Sequence, residues 1–197
     1  NDFPNVLNFE VDIEDAILDS VGNTEHSNLS GYQTKIDIDI DWKNHIVRES
    51  KNAHYLLKPR NKHRTDYFGN KDGTEKQYYP YIALNEHLFM SFAKNELNFN
   101  VPYTGIIRAE NDFHYVTKRY DRYGKYKYDQ LDFAQLMEVT SKDKYKSGSD
   151  LLFKKINEVL STKEAKMDAL RFYYYSYLIK HADLHLKNIG ALNIGQN

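Results

Sequence analysis

The chain has 197 residues, 41% hydrophobic and 28% charged, which suits a globular protein able to bury a core in one domain or two small lobes. It holds no cysteine, which excludes a disulfide framework and a thiolate zinc site. No signal peptide and no apolar run of membrane-spanning length is read in these residues, so a cytoplasmic protein with no membrane partner is expected.

The net charge of −1 hides an asymmetry: residues 1–41 hold ten acids and one base, Lys35, so the remainder holds 18 acids and 26 bases. A basic body suits phosphate-bearing ligands, although solvated faces account for most such residues. The overall balance is near neutral and gives no ground for a nucleic-acid binder.

Residues 13–18 fit a short helix. Residues 34–42 alternate strictly, with Ile36, Ile38 and Ile40 on one face and Asp37, Asp39 and Asp41 on the other. Period two predicts a half-buried strand whose carboxylates face solvent rather than converge on a metal. Residues 53–58 form a short apolar run, the next predicted strand, and the polar, basic stretch 59–79 with Gly69 and Gly73 reads as a mobile loop. A helix is expected after Pro80, with Tyr81, Leu84, Leu88 and Phe92 as its apolar stripe. Residues 101–108 and 113–120 read as a hairpin turned by Glu110-Asn111-Asp112. The pattern then becomes helical: a short helix over 131–138, one over 150–160 capped by Ser149, and a long one to about Lys180 opened by a Ser161-x-x-Glu164 capping box. An apolar segment, 189–192, follows.

Between the last helix and that segment stands His181-Ala182-Asp183-Leu184-His185-Leu186-Lys187-Asn188, the H-x-D-x-x-x-x-N spacing of a kinase catalytic loop. There an aspartate meets the hydroxyl that attacks the γ-phosphate, and an asparagine five residues on holds Mg²⁺ as a neutral oxygen ligand. Three fixed letters occur by chance, so the other parts matter. A kinase also needs a lysine on a small-lobe strand for the ATP phosphates and a glutamate on the following helix to aim it. Lys58 and Glu86 have the right type and order, and Lys187 suits the offsetting of charge on the transferring phosphoryl group. Each is commonplace singly; the ordered set is not. The order of elements predicts an α+β, protein-kinase-like two-lobe fold: a small antiparallel sheet lobe with one helix over 1–120, then an incomplete helical lobe over 121–197 carrying the catalytic loop 181–188. The H-x-D-x-H pattern of His181, Asp183 and His185 is also compatible with a transition-metal site, with no further ligand cluster evident.

These segments resemble the HipA family of kinase toxins from bacterial HipA/HipB toxin–antitoxin modules. Ser30-Gly31-Tyr32-Gln33-Thr34-Lys35 is similar to the family's S-G-x-Q-x-K turn, Tyr55-Leu56-Leu57-Lys58-Pro59 to its ATP-lysine strand and Asn85-Glu86 to the start of its N-E helix. Lys118-Arg119-Tyr120-Asp121-Arg122 resembles E-R-F-D-R, Asp132-Phe133-Ala134-Gln135 resembles D-F-x-Q, and residues 181–188 resemble N-x-D-x-H-x-K-N. The resemblance implies a serine/threonine protein kinase using ATP and Mg²⁺, with Ser30, Gly31, Gln33 and Lys35 covering the phosphates. It implies aminoacyl-tRNA synthetases as substrates, growth arrest or persistence as the consequence, and a small HipB-like DNA-binding antitoxin as partner, through which alone the chain would meet DNA. It also implies autophosphorylation of a serine in the glycine-containing loop. Here Asn28 stands at the usual position, with Ser27 and Ser30 nearby.

Kinases place a second metal-binding aspartate downstream of the catalytic-loop asparagine, and none lies in residues 189–197. A fragment or a shortened protein is therefore expected, one that leaves apolar surface to a partner. The competing reading is a non-catalytic partner-binding module on a kinase scaffold. A small-molecule kinase is disfavoured by the S-G-x-Q-x-K and D-F-x-Q segments.

Overall fold

The computed structural model describes residues 12–13, 35–60, 81–109, 112–140, 142–145, 148–181 and 183–195. The chain packs as two compact units, Asn1–Tyr120 and Asp121–Asn197.

The first unit is built on a six-stranded sheet. Its strands are β1 (Asp12–Ile13), β2 (Ile36–Asp41), β3 (Ile46–Glu49), β4 (Tyr55–Lys58), β5 (Thr104–Ala109) and β6 (Asp112–Lys118), in the order β1-β3-β2-β4-β6-β5. β1 runs parallel to β3 and the other pairings are antiparallel. Of the helix expected over 13–18, Ile13 lies on β1 instead, and 14–18 fall outside the described residues. β3, with only Ile46 and Val47 apolar, carries too short a pattern to be read as a strand from sequence, yet it pairs along β2.

The alternation of β2 holds: Ile36 and Ile38 are buried with Ile13, Val47, Leu57, Ile107, Ala109 and Val116 in one apolar cluster. Each of the isoleucine, valine and leucine side chains among them contributes about 1.5–3 kcal/mol when fully buried. The aspartates on the opposite face reach solvent as expected, Asp37 and Asp39 half-buried and Asp41 exposed, and each also takes a protein partner. Asp37 pairs with Arg119, and Asp39 accepts from the backbone N–H of His54 at 3.0 Å. Asp41 accepts from Lys43 N at 3.0 Å and Asn44 N at 3.1 Å, closing the β2–β3 turn.

α1 (Ile82–Asn95) packs against β5 and β6. The apolar stripe of Tyr81, Leu84, Leu88 and Phe92 is not the buried face: all four are exposed, and Ala83 and Ala93 are buried instead. Small residues bring the helix axis close to the strands, over Ile106 and Tyr115. Pro80 lies outside the described residues. The hairpin of β5 and β6 forms as expected, with residues 110–111 outside the described set.

The second unit mixes helices with short strands. β7 (Arg122–Tyr123) and β8 (Tyr126–Lys127) form a hairpin, and β9 (Asp129–Asp132) pairs antiparallel with β10 (Gly190–Asn193). Leu131 is therefore on a strand, and the helix expected over 131–138 shrinks to α2 (Phe133–Leu136), opened by a capping box of Asp132 and Gln135. α3 is Ser149–Val159 with Gly148 at its cap position, so Ser149 is the first helical residue. α4 is Lys163–Leu178, and its cap is Thr162, whose hydroxyl accepts from Ala165 N at 3.1 Å. The Ser161/Glu164 box is thus displaced by one residue and does not form. Phe133, Ala134, Leu152, Ile156 and Leu186 make the core of this unit. Among the described residues no helix is long and apolar enough to cross a membrane.

Candidate active site

In the first unit, strand register places the chemistry. Lys58 on β4 lies opposite Tyr115 on β6, which in turn lies opposite Ile106 on β5. These three share the face covered by α1, while the neighbouring Leu57 and Val116 belong to the opposite core. The Lys58 ammonium meets the Glu86 carboxylate of α1 in an ion pair, with side-chain exposures of 15% and 27%. The ammonium also lies 5.3 Å from the centre of the Tyr115 ring. Burial, and then the charge of Glu86, push the Tyr115 phenol well above its ordinary range. Thr104 and Thr117 beside the hydroxyl offset part of that rise, and Thr104 Oγ1 is 3.0 Å from His87 Nδ1 on α1. A polar thread thus ties α1 to the sheet beside the ion pair. Lys35 is half-buried just before β2; Ser30, Gly31 and Gln33 lie outside the described residues, as do Ser27 and Asn28.

In the second unit, Asp183 follows a chain reversal after α4, where Lys180 takes a left-handed φ of 53° and His181 N donates to Ser176 O at 2.9 Å. Leu186 then drops into the core as part of a 3-10 turn, Leu186–Asn188, that leads directly into β10. The loop is therefore held by a helix on one side and a strand on the other.

Asp183 and Asn188 meet. The Asn188 amide Nδ2 donates to Asp183 O at 2.8 Å and to Asp183 Oδ2 at 3.3 Å. Asp183 Oδ1 accepts from the Tyr145 hydroxyl at 2.7 Å. Burial raises the Asp183 pKa, but the Tyr145 hydrogen bond, the His185 ring, the Asn188 amide and the Lys144 charge outweigh it, and the carboxyl sits below its ordinary value. Asp183 is therefore ionised at neutral pH, as a proton acceptor must be.

His185 is 7% exposed. Burial first, and then the Lys144 ammonium, push its pKa below the ordinary value. The neutral ring accepts from Lys144 Nζ, 2.8 Å from Nε2. The 3.5 Å approach of the same nitrogen to Asp183 Oδ1 is then proximity, not an ion pair. Lys187 stands on the 3-10 turn, near enough for its charge to lower the His185 pKa.

The transition-metal alternative finds no support. The segment turns at His181, where Leu184 N donates to His181 O at 3.2 Å, so the extended geometry needed to align His181, Asp183 and His185 is lost. Among the described residues no three His, Cys, Asp or Glu side chains form a metal-binding group.

Sequence reasoning did not single out Lys144 or Tyr145. They lie far before Asp183 in the chain, and no local pattern marks a residue that acts only through tertiary contact.

A lysine–glutamate pair on a sheet-and-helix unit, with an ionised aspartate and its asparagine on a following loop, defines a kinase-like class of protein. The profile of the HipA-like C-terminal domain family matches residues 27–197, and the chain belongs to that family. The fold is similar to a solved structure of the Shewanella oneidensis MR-1 toxin–antitoxin system, HipA and HipB with operator DNA: TM-score 0.63 at 17% identity, covering 90% of this chain. The present chain spans 45% of the length of that matched chain. No curated protein matches by sequence. The expected α+β, kinase-like fold is thereby borne out.

Proposed function

We propose that this chain carries the nucleotide-binding and catalytic-loop parts of a HipA-type serine/threonine protein kinase that uses ATP and Mg²⁺. The observation that carries the reading is the Lys58–Glu86 ion pair. Glu86 fixes a compact, half-buried positive charge before any nucleotide arrives, and a lysine so held suits phosphate oxygens. By its resemblance to the family's S-G-x-Q-x-K segment, residues 30–35 are assigned to the same phosphates, with Lys35 adding its charge.

Asp183 orients the acceptor hydroxyl and takes its proton, and Lys187 offsets charge on the group in transfer. Asn188 suits a hard cation: its Nδ2 is spent on Asp183, which turns its carbonyl oxygen away as a neutral ligand. When bound, Mg²⁺ supplies neutralisation of the phosphate charge. The matched structure contains HipB and operator DNA, which supports a HipB-like antitoxin as partner, with DNA met only through it. Aminoacyl-tRNA synthetases are the substrate class that family membership suggests.

Calorimetric titration with Mg-ATP tests the reading. The parent and Asp183→Ala are expected to bind, and Lys58→Ala to lose binding. A folded parent that takes up no nucleotide at millimolar ATP overturns it.

A further inference from the structure

The Tyr145 hydroxyl has no role in the scheme above, yet it makes the shortest contact to the Asp183 carboxylate recorded among the described residues, at 2.7 Å. The Asp183 side chain is 70% exposed, and an aspartate that open samples several rotamers unless something holds it. Here two donors hold it from different oxygens: Tyr145 on Oδ1 and Asn188 on Oδ2. An ionised carboxylate offers about four lone-pair sites, so accepting sites remain for a further hydroxyl.

The tyrosine is itself braced. Its ring meets the His185 ring edge to face, with centroids 5.0 Å apart at 84°. His185 is buried, and its Nε2 takes the Lys144 ammonium. That ammonium lies 5.0 Å from the Tyr145 ring centre, and Leu186 N reaches Lys144 O at 3.4 Å. Two consecutive residues therefore grip the catalytic loop at its carboxylate, its histidine and its backbone.

The division of labour has a chemical reason. A lysine on Asp183 would pair off the negative charge that draws the proton. A phenol, neutral at working pH, fixes direction and leaves the charge in place. The cation of the pair is directed to His185 instead.

We propose that Tyr145 is a positioning residue: its hydroxyl, braced through His185 and Lys144, fixes the Asp183 carboxylate in the orientation met by the attacking hydroxyl. The proposal rests on the kinase reading for its catalytic part, and on the contact alone for its structural part.

Both parts are tested together. The first measurement is transfer of labelled γ-phosphate from Mg-ATP to dephosphorylated casein by the parent, Tyr145→Phe and the surface control Tyr126→Phe. Phenylalanine keeps the ring on His185 and removes only the hydroxyl. It is expected to lower kcat about 10- to 100-fold with the KM for ATP unchanged, since a small misplacement of a reacting group costs on that order. Tyr126→Phe is expected to behave as the parent. A Tyr145→Phe variant with parental kcat, or one altered only in KM, overturns the proposal.

The second measurement needs no activity. The drop in thermal midpoint caused by Tyr145→Phe is expected to vanish in an Asp183→Ala background. Additive shifts mean that the two side chains are not in contact, which overturns the structural part. Coupling in a parent that transfers no phosphate overturns the kinase reading, and the catalytic part with it.

Discussion

Lys58 on β4 and Glu86 on α1 form an ion pair across a separation of 28 residues. The pair exists because strand register turns Lys58 to the helix-covered face and because α1 approaches through Ala83 and Ala93. It ties the orientation of a helix to the position of a charge. Glu86→Ala leaves a half-buried ammonium without its carboxylate and should destabilise the chain by about 1–3 kcal/mol in urea. The double variant Lys58→Met/Glu86→Leu should recover most of that stability while losing Mg-ATP binding. Full stability in Glu86→Ala would show that the pair does not form in solution.

The face that α1 turns to the sheet gives a second prediction. Ala83 is 4% exposed and Leu88 is 60% exposed. Ala83→Leu should therefore overpack the contact with β5 and β6 and cost about 1–3 kcal/mol. Leu88→Ser should change stability by no more than about 0.5 kcal/mol. The reverse ranking, measured by chemical denaturation, would restore the Leu84–Leu88–Phe92 stripe as the buried face.

That stripe shows where sequence reading ran out. Periodicity marks α1 as amphipathic, but a helix can meet a sheet through small residues, and nothing local says which stripe does so. The alternation of Ile36 and Ile38 with aspartates was legible because β2 buries both isoleucines on one face. β3 was not, because two apolar residues carry no period. Lys58, Glu86, Asp183 and Asn188 were legible as types in order; what the structure adds is that Lys58 meets Glu86 and Asn188 meets Asp183. Tyr145 was invisible, since its contact with Asp183 spans 38 residues and no motif of its own announces it.

The start of α4 separates two caps that differ by one residue. Thr162 accepts from Ala165 N, and Ser161 takes no part. Thr162→Ala should cost about 0.5–2 kcal/mol, while Ser161→Ala should be silent. Equal losses in a urea midpoint comparison would place the helix start one residue earlier.

His87 supplies a pH prediction. It is half-buried on α1, with Nδ1 3.0 Å from Thr104 Oγ1 and 3.5 Å from Ser91 Oγ. Burial lowers its pKa below the ordinary 6.5. A histidine with a depressed folded pKa binds its proton more weakly folded than unfolded. As pH falls through 6.5, the unfolded chain takes the proton first and folding stability drops. The contribution is fully present above that value. Protonation would also turn Nδ1 from an acceptor of the hydroxyls into a donor. His87→Phe should therefore lose less stability than the parent between about pH 8 and about pH 5.5, because the other titrating groups are common to both proteins. Denaturation midpoints across that range measure the difference. Parallel curves for the two proteins would mean that His87 titrates in the folded chain as freely as in the unfolded one, and that the contact between His87 on α1 and Thr104 on β5 is open to water.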